Sequence, residues 1–173
     1  AYSSVEGIEL EPGTYISVIG KSADGDFWAA VEEGAKDAGA DLDEALGYKG
    51  EDKIKIVYSG PGEPEDVDEQ VNILDEELAR YPSALAMSII DTQSCEVQFD
   101  LAAMNDIPVV AFDSASGYQG LMAKVGTDNE AAAQTAASRT AEAMKERGKV
   151  IVLAHDSVSE NGKERTEAVI RER

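Results

Sequence analysis

The chain has 173 residues, 43% of them hydrophobic, enough to bury one good core or one core plus part of another, so a folded protein is expected rather than a disordered one. Its 35 acidic residues against 15 basic ones leave a formal charge of −20, which repels phosphate backbones and anionic membrane surfaces and lacks the basic footprint of a nucleic-acid binder. A single cysteine, Cys95, rules out an intrachain disulfide or a multi-cysteine metal centre.

Residues 1–14 read as a polar tether. They lack the basic start and apolar stretch of a signal peptide, so an exported protein would have had its signal removed, and no run of 18 apolar residues could span a bilayer. From Tyr15 onward, β-branched apolar runs alternate with stretches of helical period. The expected order is a strand over Tyr15–Ile19, a helix from about Asp26 to Ala38, a strand Ile54–Tyr58 and a helix Glu65–Arg80. A strand Ala84–Ile90, a helix Ser94–Asn105 and a strand Ile107–Phe112 follow. Next come an extended segment Leu121–Val125, a helix from about Asn129 to Arg147, a strand Val150–Ala154 and a last helix from about Asn161 onward. Val67, Val71, Leu74 and Leu78 lay one apolar stripe along the second helix, and Pro82 ends it. This rhythm predicts an α/β fold: an open parallel sheet with helices on both faces. The glycine-containing segment Ser114–Gly120 is the best place for a crossing between lobes. The expected division is therefore a lobe over 15–123 and an incomplete second lobe over 124–173, since about 50 residues are too few for an independent α/β lobe. An unfinished sheet leaves unpaired edges, through which the chain is expected to self-associate.

The loop SGPGEPED, Ser59–Asp66, follows a strand and opens a helix, but it lacks the third glycine of a dinucleotide loop and carries acids that oppose a pyrophosphate. Pro64 and the acids suit an ordinary helix start. Cys95 and His155 are the only thiol and imidazole, and their placement gives no support to a nucleophilic pair. No catalytic residue, cofactor or metal site is expected. In open α/β sheets ligands bind beyond the carboxyl ends of the strands. That rule selects Lys21–Trp28 after the first strand, Ser88–Thr92 with Asp91 after the third, Asp113 after the fourth, and His155 with Asp156–Arg165 after the last. Phe27 and Trp28 are adjacent aromatics, of which a helix packed on a sheet buries one comfortably, leaving the other to face a cleft. Aromatic faces stack on sugar rings while carboxylate and guanidinium groups bind hydroxyls, so Phe27, Trp28, Asp113 and Arg165 make a sensible polyol site.

At these residues the chain resembles the ribose-type sugar-binding proteins of bacterial ABC importers, which share their core with LacI-type repressors. YISVIGKSADGDFWAAVEEGAKDAG resembles the family's first strand and helix, with Phe27 and Trp28 on its ligand-packing aromatic pair and Asp26 where many members have proline. NDIPVVAFDS, Asn105–Ser114, resembles the strand whose final aspartate holds ligand hydroxyls, which implies that role for Asp113. Ser114 replaces the arginine common in ribose binders, which points away from ribose. VGTDN resembles the entry to the second lobe, and KVIVLAHDSVSENGKERTEAV resembles its next strand and binding helix, which implies a ligand contact for Arg165. Lys21 matches a lysine used by relatives that bind autoinducer-2 or rhamnose-like ligands.

The resemblance implies a periplasmic-binding-protein-like type I fold, with residues 1–173 as about the first two-thirds of such a protein. It further implies an extracytoplasmic, non-enzymatic receptor, in the periplasm or lipid-anchored at the cell surface. Hinge closure would bridge Asp113 and Arg165 through a sugar or polyol, and the closed form would deliver it to an ABC permease. The alternative is the ligand-sensing domain of a LacI-type transcription regulator, although fewer residues precede Tyr15 than a helix-turn-helix needs.

Overall fold

The structure is a computed structural model that describes residue 5 and residues 7–171. Of the expected tether, residues 1–4 and 6 lie outside the described residues, as do residues 172 and 173. Five parallel strands form one sheet in the order β2-β1-β3-β4-β5. They are β1 (Tyr15–Ile19), β2 (Lys55–Ser59), β3 (Ala84–Met87), β4 (Val109–Phe112) and β5 (Ala123–Val125). The helices are α1 (Asp26–Leu46), α2 (Val67–Leu78), α3 (Glu96–Met104), α4 (Asn129–Ala143) and α5 (Glu160–Arg171).

This strand order places β2 on one side of β1 and β3 on the other, so the winding reverses between β1 and β3. Right-handed crossovers then put α1 on one face and α2 on the opposite face, and the reversal opens a crevice at the carboxyl ends of β1 and β3. The core lies beneath that crevice. Ile19, Leu74, Leu85, Met87, Phe99 and Ala111 are buried together, with Val71 and Leu78 of the predicted stripe packed against them. Along β3 and β4 buried positions alternate with half-buried ones, so both faces of these inner strands are at least partly covered and they read as apolar runs rather than as a polar alternation.

Helix α1 continues eight residues beyond the expected Ala38, to Leu46. Gly39 is not a stop signal: a Cβ there would lie 2.7 Å from Ile56 Cγ1, so the glycine lets the helix press onto β2. The true stop is Gly47, in the left-handed conformation, with Tyr48 N donating to Asp43 O. Helix α2 starts two residues later than expected, because Glu65 has φ 64 and Asp66 caps the helix by accepting from Glu69 N. Helix α4 ends at Ala143 rather than Arg147, since Lys145 and Glu146 both take positive φ.

Two expectations need correction. The segment Val150–Ala154, read as a strand, pairs with no strand among the described residues. Its Ile151 and Leu153 are 87% and 92% exposed. Its β-branched composition favours an extended chain, but a strand exists only as part of a hydrogen-bonded ladder. The second concerns Ser114–Gly120, expected to cross between lobes. It joins β4 to β5, which pair in parallel within the same sheet, so the sheet extends through the proposed boundary near 123 to Val125. The loop is held by Tyr118, whose hydroxyl donates to Asp100 and whose ring lies 5.3 Å from that of Phe99.

Candidate functional site

A cleft of about 530 Å³ lies at the carboxyl rim of the sheet. One wall consists of Lys21 after β1, Phe27 and Trp28 in the first turn of α1, Glu65 before α2, and Asp113 after β4. The other comes from beyond the sheet: Val152–His155, then Asn161, Gly162, Arg165, Thr166 and Val169 of α5. Five of the six residues expected to bind ligand, Lys21, Phe27, Trp28, Asp113 and Arg165, thus share one cleft. Asp91 does not line it. Its Oδ1 instead accepts from Gln93 N, Ser94 N and Ser94 Oγ at 2.7 to 2.9 Å. The Ser94 hydroxyl, with that backbone help, holds the Asp91 carboxyl below its usual range. A position on the rim does not decide where the side chain goes, and here the turn into α3 captures it.

Each wall residue is placed by local structure. Asp113 sits at φ 57, a left-handed conformation that aspartate tolerates better than most residues. That kink is anchored by Asp113 N donating to Val125 O at 2.8 Å, and it turns the side chain out of the strand line. Ser88 Oγ donates to Oδ2 at 3.0 Å and Asn161 Nδ2 to Oδ1 at 3.2 Å, so each carboxylate oxygen is oriented by one donor and keeps further lone pairs for a ligand. The Lys21 side chain is only 5% exposed, and its one ion pair, to Glu65 Oε2, is 4.0 Å long. Phe27 is exposed and Trp28 half-buried, their rings meeting edge to face with centroids 4.9 Å apart; the helix was expected to bury one of the two, but neither is fully buried and both line the cleft. Trp28 fits because Gly20 has no side chain: a Cβ there would stand 2.8 Å from Trp28 Cε3 and would collide with the Tyr58 hydroxyl. Tyr58 donates to Ser22 O at 2.6 Å and, with its hydroxyl partly withdrawn from water and near Glu32, its pKa is pushed up to about 12.

Gln70, missed in the sequence, organises the rim from beneath. Its Nε2 donates to Gly20 O at 2.9 Å and Ser88 O at 2.8 Å, and its Oε1 accepts from Ile90 N at 3.0 Å, tying together the ends of β1 and β3. Asn161 was legible: it precedes Arg165 by four residues and so shares its helix face.

Among the described residues, Glu65, His155 and Asp156 bring three potential metal-ligating atoms within 4.8 Å of one another. The chemistry of the group argues against a cation, because the Lys21 ammonium stands beside Glu65. Asp156 is also occupied: burial opposes its ionisation, but hydrogen bonds from Ser159 and Val158 outweigh this and hold its carboxyl below the usual range. Cys95 belongs to the core rather than the cleft, and burial foremost, with nearby Asp91 and Asp75, pushes its thiol up to about 12. It is therefore not paired with His155 as a nucleophile.

A doubly wound parallel sheet whose rim faces a helix from beyond the sheet thus brings aromatic, cationic and carboxylate side chains together in one cleft. The chain belongs to the periplasmic binding protein domain family, which it matches over residues 16–172. It is similar to a solute-binding protein of an ABC transporter from Burkholderia graminis, solved in complex with D-arabinose, at 25% identity and a TM-score of 0.81, covering 95% of this chain and 53% of that one. A solute-binding protein from Agrobacterium vitis with bound D-fucose is 25% identical with a TM-score of 0.77, covering 91% and 52%. An arabinose-binding protein from Geobacillus stearothermophilus is 29% identical with a TM-score of 0.70, covering 93% and 51%. The chain thus spans about half the length of the solved structures it matches. No curated protein sequence matches it significantly. Among the described residues, no helix is long and apolar enough to cross a membrane.

Proposed function

We propose that this chain supplies the sugar-holding cleft of an extracytoplasmic solute-binding protein that delivers a sugar or similar small polyol to an ABC permease. The observation that carries this reading is the convergence of Lys21, Phe27, Trp28, Asp113 and Arg165 on one cleft. Phe27 and Trp28 offer ring faces for the apolar side of a sugar, Asp113 accepts from its hydroxyls, and Lys21 and Arg165 donate to its oxygens. Pentoses and deoxyhexoses lead the ligand classes, since D-arabinose and D-fucose occupy two of the similar proteins.

In this reading the sheet through Val125 belongs to one lobe and the residues beyond it to a second, with the ligand bridging Asp113 and Arg165. Closure then follows from differential affinity, because the closed state makes contacts to the sugar that the open state lacks. The protein makes and breaks no covalent bond; it binds, encloses and hands over. A thermal-shift panel of D-arabinose, D-fucose, other monosaccharides and polyols tests this, because a ligand that binds only the native state raises Tm. The reading expects a rise with at least one sugar that vanishes in Asp113→Ala. A rise that survives Asp113→Ala, or no rise with any sugar, refutes it.

A further inference from the structure

Behind the cleft, four side chains form one continuous hydrogen-bonded row. Arg165 Nε donates to Asn129 Oδ1 at 2.7 Å, Asn129 Nδ2 donates to Asn161 Oδ1 at 3.0 Å, and Asn161 Nδ2 donates to Asp113 Oδ1 at 3.2 Å. The two amides are 2% and 7% exposed. The second N–H of Asn129 goes to Glu164 Oε2 at 3.0 Å, so both polar atoms of that buried amide are engaged.

The row has only one possible polarity. A guanidinium can only donate, so Asn129 must present its oxygen to Arg165 and its nitrogen to Glu164 and Asn161. Asn161 must then present its oxygen to Asn129, which aims its nitrogen at the Asp113 carboxylate. Reversing either amide would set donor against donor at one end and acceptor against acceptor at the other, leaving buried groups unsatisfied. The row starts and ends on the two oppositely charged cleft residues, while Asn129 itself does not line the cleft. Among the described residues, the Arg165 guanidinium makes no other hydrogen bond to protein, so Nε is its tether and its terminal nitrogens remain available to the cleft.

We propose that Asn129 and Asn161 are positioning residues that fix the orientation of Arg165 and couple it to Asp113. The coupling is a property of the protein alone, and its importance for binding rests on the sugar-receptor reading above. A ligand that engages Asp113 meets an Arg165 already oriented, which lowers the entropy lost on binding.

The test follows proton exchange at Arg165 Nε by NMR in the whole chain. Asn129→Leu removes the acceptor and is expected to accelerate exchange about tenfold, the effect of losing one hydrogen bond to a charged group. Asn161→Leu, which removes no hydrogen bond of Arg165 itself, is expected to accelerate it as well, because Asn129 loses one of the two acceptors that fix its amide. Asn129→Asp distinguishes positioning from general damage. It keeps an acceptor for Nε while setting a carboxylate against Glu164, so exchange at Arg165 stays slow even if Tm falls. Parent-rate exchange in Asn161→Leu, or fast exchange in Asn129→Asp, overturns the proposal. Titration of the parent with D-arabinose, D-fucose and other monosaccharides and polyols, followed by Trp28 fluorescence, separates the two readings: accelerated exchange in Asn161→Leu with no response to any of them supports the row and refutes the sugar assignment.

Discussion

Gln70→Leu removes the amide that binds the ends of β1 and β3 together while keeping nearly the same volume. Three hydrogen bonds of 2.8 to 3.0 Å disappear, and the Ile90 N–H and the Gly20 and Ser88 carbonyls are left in a buried setting where water does not readily replace the lost partner. At about 1 kcal/mol net per bond, with an added penalty for the orphaned N–H, the loss comes to about 3 to 5 kcal/mol. For a domain of this size that lowers Tm by roughly 10 °C. Urea unfolding followed by far-UV circular dichroism reads this directly, with an unchanged slope showing that the unfolded reference has not shifted. The damage should reach the cleft, because Gly20 precedes Lys21 and the Ser88 hydroxyl orients Asp113. Gln70→Glu keeps the acceptor for Ile90 N but sets a carboxylate against two carbonyl oxygens; it should be worse near neutral pH and partly recover on acidification, when a protonated carboxyl can donate to one of them. A loss below about 1 kcal/mol in Gln70→Leu would refute the argument, since a solvated site would then have absorbed all three bonds.

Gly20→Ala places a methyl group against Trp28 and Tyr58, so it should cost about 1 to 3 kcal/mol as an overpacked substitution and shift Trp28 emission; unchanged emission and Tm would contradict the packing described. The Asp91 carboxyl, held below its ordinary value of 3.8 chiefly by the Ser94 hydroxyl, contributes stability that is complete above that pH and is lost as pH falls through the folded-state value. Unfolding measured from about pH 5 to about pH 2 should therefore show Asp91→Ala progressively losing its disadvantage against the parent, and a gap independent of pH would contradict it. Exposed Ile151 and Leu153, together with the open edges of β2 and β5, lead us to expect concentration-dependent self-association in sedimentation velocity; a single monomeric boundary at high concentration would refute it.

The parallel sheet was legible because each strand carries an apolar run bounded by turn residues, and the carboxyl-rim rule then points to Lys21, Phe27, Trp28, Asp113 and Arg165 from the sequence. Where the reading departs from the structure, a long-range partner decides. Gly39 looks like a helix terminator until Ile56 is seen beneath it. Val150–Ala154 has the composition of a strand and lacks a ladder among the described residues. Asp91 has the right address and the wrong direction, because Ser94 competes for its carboxylate. Gln70 and Asn129 look like ordinary polar residues on amphipathic helices. Their importance comes from partners between 18 and 50 residues away, and no local pattern encodes such distances.

The most direct test of the account is a titration of the chain with D-arabinose and D-fucose, read by the fluorescence of Trp28, the only tryptophan in the sequence and a wall of the cleft. A saturable change with at least one sugar, absent in a folded Asp113→Ala variant, is the predicted result. A flat response from folded parent protein across sugars and polyols, or saturable binding untouched by Asp113→Ala, would contradict the assignment of this cleft as a sugar site.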